Sequence, residues 1–207
     1  MFRLCVDPYL RNVEGLNSVH DGIIFAGHVF PEKRLWGVGG TLKNVRVSGS
    51  YRTGLGVVGH RYGSVYDSTF ETTGMNTSLL DGRQLAESTF AGVDLEQGVT
   101  VTDTDDRGQE GWLFDRCTFK DNLGTNISIH WGTYNTIVRN CFITNGDIFE
   151  PADSEGLVVN NTYENNIFTN GWILSNGGGI HLKNNSFIFD RLSFPLGAVP
   201  IAGQAIT

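Results

Sequence analysis

The sequence predicts an all-β protein, a right-handed parallel β-helix whose coils take roughly 19–26 residues each. Three observations predict it: an internal repeat with alternating apolar residues, phenylalanines that close successive repeats, and asparagines at a fixed offset before several of them.

The repeat comes first. Residues 53–70, TGLGVVGHRYGSVYDSTF, align without gaps on 125–142, TNISIHWGTYNTIVRNCF. Leu55 then matches Ile127, Val57 matches Ile129, Tyr62 matches Tyr134, Val65 matches Ile137 and Phe70 matches Phe142. Apolar residues alternate with others, the period of a half-buried strand and not of a helix. Coils close on Phe70, Phe119, Phe142, Phe168 and Phe187, with Val47 closing an earlier one. Asn140, Asn166 and Asn185 stand two residues before the last three of the later phenylalanines. In stacked parallel strands, equivalent residues lie ~4.8 Å apart. The phenylalanines are therefore expected to form an inner column and the asparagines an amide ladder at a corner. A leucine-rich repeat shares the period but needs spaced leucines and a helical segment in each unit. A β-sandwich has short strands but gives no reason for recurrence in register.

Composition suits many corners. The 207 residues include 27 Gly and 5 Pro, and 18% are charged. The net charge of -7 and the absence of a basic run exclude the electrostatic footprint of a nucleic-acid binder. No apolar run approaches the ~20 residues of a membrane helix, and the first residues lack the pattern of a signal peptide. Cys5, Cys117 and Cys141 leave at least one thiol unpaired and fit no metal spacing. Cys117 and Cys141 read as small core side chains.

The interval from Phe70 to Phe119 is double length and reads as one swollen coil. Its strand, 92–97, is flanked by excursions over 75–91 and 98–110, and such excursions from a compact scaffold are often functional. STF at 88–90 repeats STF at 68–70, which leaves open a separate coil there. Within the strand, Val93 and Leu95 should face inward and Asp94 and Glu96 outward. Neighbouring coils place Ser128 beside Asp94 and His130 beside Glu96, with Gly56 and Val58 on the other side. His60, Arg61, Tyr62, Trp131 and Tyr134 should lie near the following corner. Two carboxylates, a histidine and aromatic rings suit a sugar-binding surface. Asp94, Glu96 and His130 are the candidate catalytic groups; Ser128, Trp131, Tyr134, His60, Arg61 and Tyr62 are candidates for binding substrate. Residues i and i+2 of a strand are ~6.5–7 Å apart, closer to the carboxylate spacing of inverting than of retaining glycosidases. Glu96 is the expected acid, because His130 and Val58 give it a drier setting.

A second acidic segment, from Asp147 to Glu155, offers Glu150 and Asp153 as further groups reaching the same groove. Asp103, Asp105 and Asp106 carry oxygen ligands suited to Ca²⁺ but lack the glycine and distal glutamate of an EF-hand loop. No cofactor is expected otherwise. Outward acids on a strand are also often merely solvated, so a glycan-binding or structural module without catalysis remains the alternative to an enzyme.

RNCFITN, ENNIFTN and KNNSF, with GVDLEQ at 92–97, resemble the pectin lyase-like superfamily of right-handed parallel β-helices over roughly residues 40–190. Within it, the likeness is to phage tailspike and polysaccharide-depolymerase members. The resemblance implies a polysaccharide partner and an extracellular, cell-surface or virion setting. It implies glycoside hydrolysis ahead of lyase chemistry, or else an appendage module. The Asn-Thr-Asp, Asp-Asp, Gly-His-Gly and Arg-Ile-Lys motifs of polygalacturonases are absent; GGGIH at 177–181 is not Gly-His-Gly. The strand motif of alginate epimerases is absent too, and no arginine is placed on the Asp94 strand to act as a pectate-lyase base. Residues 1–40 read as early coils without a capping helix, and the tail after Phe189 is apolar. A fragment of a longer chain, or ends covered by further domains or in a homotrimer, is therefore expected.

Overall fold

The computed structural model describes residues 2–3, 7–30, 33–35, 37–74, 90–96, 109–130, 132–150, 160–175 and 179–189. Within these residues the chain is a parallel β-solenoid with no α-helix. One sheet has seven parallel strands, running in order Phe2–Arg3, Ile23–Ala26, Leu55–Val58, Val93–Glu96, Ile127–Ile129, Ile148–Glu150 and Ile173–Ser175. Each strand comes from the next coil. A second, 12-stranded sheet is two such runs joined at one end. There, Tyr9–Leu16 and Thr41–Ser48 are long enough to serve both runs. In later coils the same path breaks into two short strands, such as Ser64–Tyr66 and Thr69–Glu71.

The break has a local cause. One residue per coil takes a left-handed backbone at this point: Asn12, Asn44, Asp67, Arg116, Asn140, Asn165 and Asn184, all with φ between 51° and 56°. Asparagine and aspartate tolerate this region best among side-chain-bearing residues, which is why they punctuate the sequence. A second column of the same kind contains Asn17, Gly49, Thr72, Asp121, Asn145 and Asn170. Side-chain amides link coils along these corners, as in Asn44 Nδ2 to Asn12 Oδ1 at 2.8 Å and Asn145 Nδ2 to Asp121 Oδ1 at 2.8 Å.

The interior is a set of stacked columns. Val47, Phe70, Phe119, Ile143, Phe168 and Phe187 are successive register partners. The Phe70 and Phe119 rings stack 5.8 Å apart at 11°, and those of Phe168 and Phe187 4.6 Å apart at 13°. The inner pillar is present, but Phe142 is not in it. Phe142 points outward and is 52% exposed, and Ile143 takes its place. Val65 likewise stacks through Phe114 on Val138, not on Ile137. The ungapped repeat therefore holds for the first strand, where Leu55 and Ile127 share a column through Val93. It slips by one residue at the following corner. A one-residue slip in a strand exchanges its two faces.

The asparagine column shifts with it. Asn140 belongs to the left-handed corner, and the inner column instead runs Ser68, Cys117, Cys141, Asn166 and Asn185. Asn185 Oδ1 accepts from the Asn166 backbone and side-chain amides, each at 3.0 Å, and Asn166 Oδ1 accepts from the Cys141 amide at 2.9 Å. Cys117 and Cys141 are free thiols buried in this column. Thr69–Glu71 pairs directly with Thr118–Lys120, so no separate coil stands between them.

Candidate acidic site on the seven-stranded sheet

Val93–Glu96 sits between Leu55–Val58 and Ile127–Ile129. Val93 and Leu95 are fully buried in the core, so alternation turns Asp94 and Glu96 to the outer face. The strand is reached through a column of close glycines. A Cβ on Gly54 would lie 2.5 Å from the Gly92 carbonyl oxygen, and one on Gly92 would lie 2.7 Å from that of Asn126. Only glycine lets these three coils approach at the corner.

Register puts Asp94 beside Gly56 on one side and Ser128 on the other, and Glu96 beside Val58. Asp94 faces outward yet is only 4% exposed. Its Oδ1 lies 3.0 Å from His130 Nε2, and Ser128 Oγ lies 3.1 Å from the same nitrogen. Asp94 and Ser128 thus share one ring nitrogen. A serine nucleophile needs its carboxylate on the opposite ring nitrogen from the hydroxyl, so this is no Ser-His-Asp relay. Histidine here orients the aspartate.

Glu96 has a different environment. Burial pushes its carboxyl above the ordinary glutamate range, and the neighbouring Asp94 charge pushes the same way. His130 and Arg52 oppose the shift without cancelling it. Asp94, Glu96, Ser128 and His130 are therefore brought together on one face.

Arg52 and Asp21 were not legible as part of this site. Arg52 makes a two-pronged contact with Asp21, Nε to Oδ1 at 2.8 Å and Nη2 to Oδ2 at 2.7 Å, and His20 Nδ1 lies 3.1 Å from Asp21 Oδ2. Asp21 Oδ2 would be 3.6 Å from a Cβ on Gly56, the residue beside Asp94. The charges of Glu96 and Asp94 add to that of Asp21 in holding the Arg52 guanidinium protonated. Gly56 is buried, with the Asp21 carboxylate packed over it between Arg52 and the acids.

Two of the expected groups face the wrong way. His60 is wholly buried, packed edge-on against Phe25 with centroids 5.1 Å apart and tilted against Trp112 at 5.8 Å. Burial lowers its pKa from 6.5 to about 4, so it is a neutral core ring and not a surface ligand. Glu150 is also wholly buried. Ile148 stacks on Ile127 inside and Phe149 on Ser128 outside, which returns Glu150 to the core. There it accepts hydrogen bonds from the Tyr163 hydroxyl and from Asn161 Nδ2, the latter at 3.1 Å. Glu150 is not a third carboxylate of the outer face.

Arg61, Tyr62 and Tyr134 lie around the next corner, off the seven-stranded sheet. Tyr62 has a left-handed backbone and its hydroxyl donates to Glu110 Oε2 at 3.0 Å; Glu110 in turn is the register partner of Tyr134. Trp131, Asp153, Asp103, Asp105 and Asp106 lie outside the described residues, as does most of both excursions. Among the described residues, no three His, Cys, Asp or Glu side chains converge on a metal position.

No curated protein sequence matches this chain. Among solved structures, the chain is similar to a mannuronan C-5 epimerase A-module of Azotobacter vinelandii, at 12% identity and a TM-score of 0.44. The match covers 92% of this chain and 57% of that one. The family model of the right-handed β-helix region matches residues 34–189. With most of its length matched and its coils stacked in parallel register, the chain belongs to the right-handed β-helix family.

Proposed function

We propose that this chain cleaves a polysaccharide on the outer face of Val93–Glu96, by acid–base glycoside hydrolysis. The observation that carries this is the unequal setting of two adjacent outward carboxyl groups. Glu96 is desolvated and its pKa raised, while Asp94 is paired with His130. Environments that differ between paired carboxyls are how one fold supplies both an acid and a base near neutral pH. In this assignment Glu96 gives its proton to the glycosidic oxygen, and Asp94 takes a proton from the attacking water. Both sit on alternate residues of one strand, ~6.5–7 Å apart along the backbone, a spacing that leaves room for that water and favours inversion.

The test is reducing-sugar release from a panel of capsular and plant polysaccharides by wild type, Asp94→Asn and Glu96→Gln. Cleavage by wild type should fall by at least 10²-fold in each variant, the usual scale for loss of a general acid or base. Unchanged cleavage in both variants removes the site. Ultraviolet absorbance appearing at the cut ends identifies elimination in place of hydrolysis, and retention on the polysaccharide without cleavage identifies a binding module.

A further inference from the structure

The outer face of the seven-stranded sheet changes character along the solenoid axis. Following the Asp94 column through the register, the outward residues are Ile24, Gly56, Asp94, Ser128, Phe149 and Leu174. Ser128 is buried, but Phe149 is 36% exposed and Leu174 40% exposed. Beyond Ser128, two large apolar side chains thus continue the line of Asp94, two and three coils from it.

We propose that Phe149, extended by Leu174, is a sugar-stacking subsite, so that the glycan lies along the solenoid axis from the acid pair towards the later coils. The proposal deepens the hydrolase reading and rests on it. Coils repeat every ~4.8 Å, a step comparable to the length of one sugar unit, so a chain laid along the axis presents about one ring to each coil. A ring over Phe149 is then about 10 Å, two coils, from one over Asp94. The C–H face of a pyranose is apolar and matches an exposed aromatic face, while its hydroxyls reach the polar groups alongside. On the other side of Asp94, Gly56 is buried beneath the Asp21 carboxylate, which is paired with Arg52. The two sides of the acid pair therefore differ: one is closed by a charged pair, the other presents exposed apolar side chains.

A protein partner fits the patch poorly. An exposure of 36% leaves on the order of 70 Å² of Phe149 in solvent, taking ~200 Å² for an aromatic side chain. Even with Leu174 the patch is a small part of the ~800 Å² each partner gives to a stable interface. It matches one or two sugar rings.

The experiment is native affinity electrophoresis through gels holding dextran, galactomannan, xylan, polygalacturonate or alginate, with sedimentation of the same samples without sugar. Wild type should be retarded by at least one polysaccharide. Phe149→Ala should weaken that retardation about fivefold, equivalent to about 1 kcal/mol of ring contact, and Leu174→Ser by less. Phe149→Trp should retain it, which a merely structural role at this surface position would not require. Unchanged retardation of Phe149→Ala overturns the subsite and leaves the acid pair standing. Retardation of wild type by none of the gels overturns the subsite and the polysaccharide reading together. Self-association of wild type that Phe149→Ala abolishes also overturns the subsite, because the face would then be an interface between copies.

Discussion

Replacing His60 should remove a specific part of the protein's acid sensitivity. The imidazole is wholly buried against Phe25 and Trp112, and burial lowers its pKa from 6.5 to about 4. Below pH 6.5 the unfolded chain takes up a proton that the folded chain refuses, so stability falls as pH falls. The loss begins near pH 6.5 and is complete only below the folded value of about 4. At pH 5 it amounts to about 2 kcal/mol, and at pH 4 to about 3 kcal/mol, from 1.36 kcal/mol for each unit of pKa difference. His60→Leu keeps an apolar group in the cavity and cannot titrate. Urea unfolding of both proteins between pH 7.5 and pH 4 gives the comparison. The wild-type curve should drop below that of His60→Leu by about 2 kcal/mol more at pH 5 than at pH 7.5. Parallel pH dependence in the two proteins refutes the buried neutral histidine, as does an imidazole resonance of His60 that titrates near its ordinary value.

The register of the inner pillar is open to a paired substitution. Ile143→Ala removes a core side chain and should cost about 2–5 kcal/mol, whereas Phe142→Ala, at an exposed outward position, should stay within about 0.5 kcal/mol; the reverse order in urea melts would restore Phe142 to the core. Tyr163→Phe removes the hydroxyl that donates to buried Glu150 and should destabilise the fold by about 1–3 kcal/mol. An unchanged melting curve for Tyr163→Phe would place Glu150 in water.

What the sequence disclosed follows the range of each interaction. Val93 and Leu95 facing in, with Asp94 between Gly56 and Ser128, follow from two-residue alternation and a glycine-led strand, both local signals. The slip after Ile129 was hidden because Ile137 and Val138, and likewise Phe142 and Ile143, are apolar neighbours that read equally well in either phase. One additional residue lies between Ile129 and Val138 compared with Val57 and Val65. The outward tilt of Phe142 came from that insertion, not from its hydrophobicity. His60 was misplaced because its polar type suggests a surface, while its neighbours in space, Phe25 and Trp112, come from other coils. Glu150 misled in the same way, since its partner Tyr163 lies beyond the intervening segment. Arg52 and Asp21 meet from corners of successive coils, outside any strand pattern, and only the folded stack joins them to the acids. Strand faces are legible from periodicity; contacts across corners are not.

Burial and the Asp94 charge together raise the Glu96 carboxyl above the ordinary glutamate range on the outer sheet face, and the titration of its own carboxyl carbon by NMR tests this most directly. The predicted midpoint lies above the ordinary glutamate value and moves down in Asp94→Asn, where the neighbouring charge that raises it is gone. A midpoint at or below the ordinary value in wild type, unmoved by Asp94→Asn, would contradict the account.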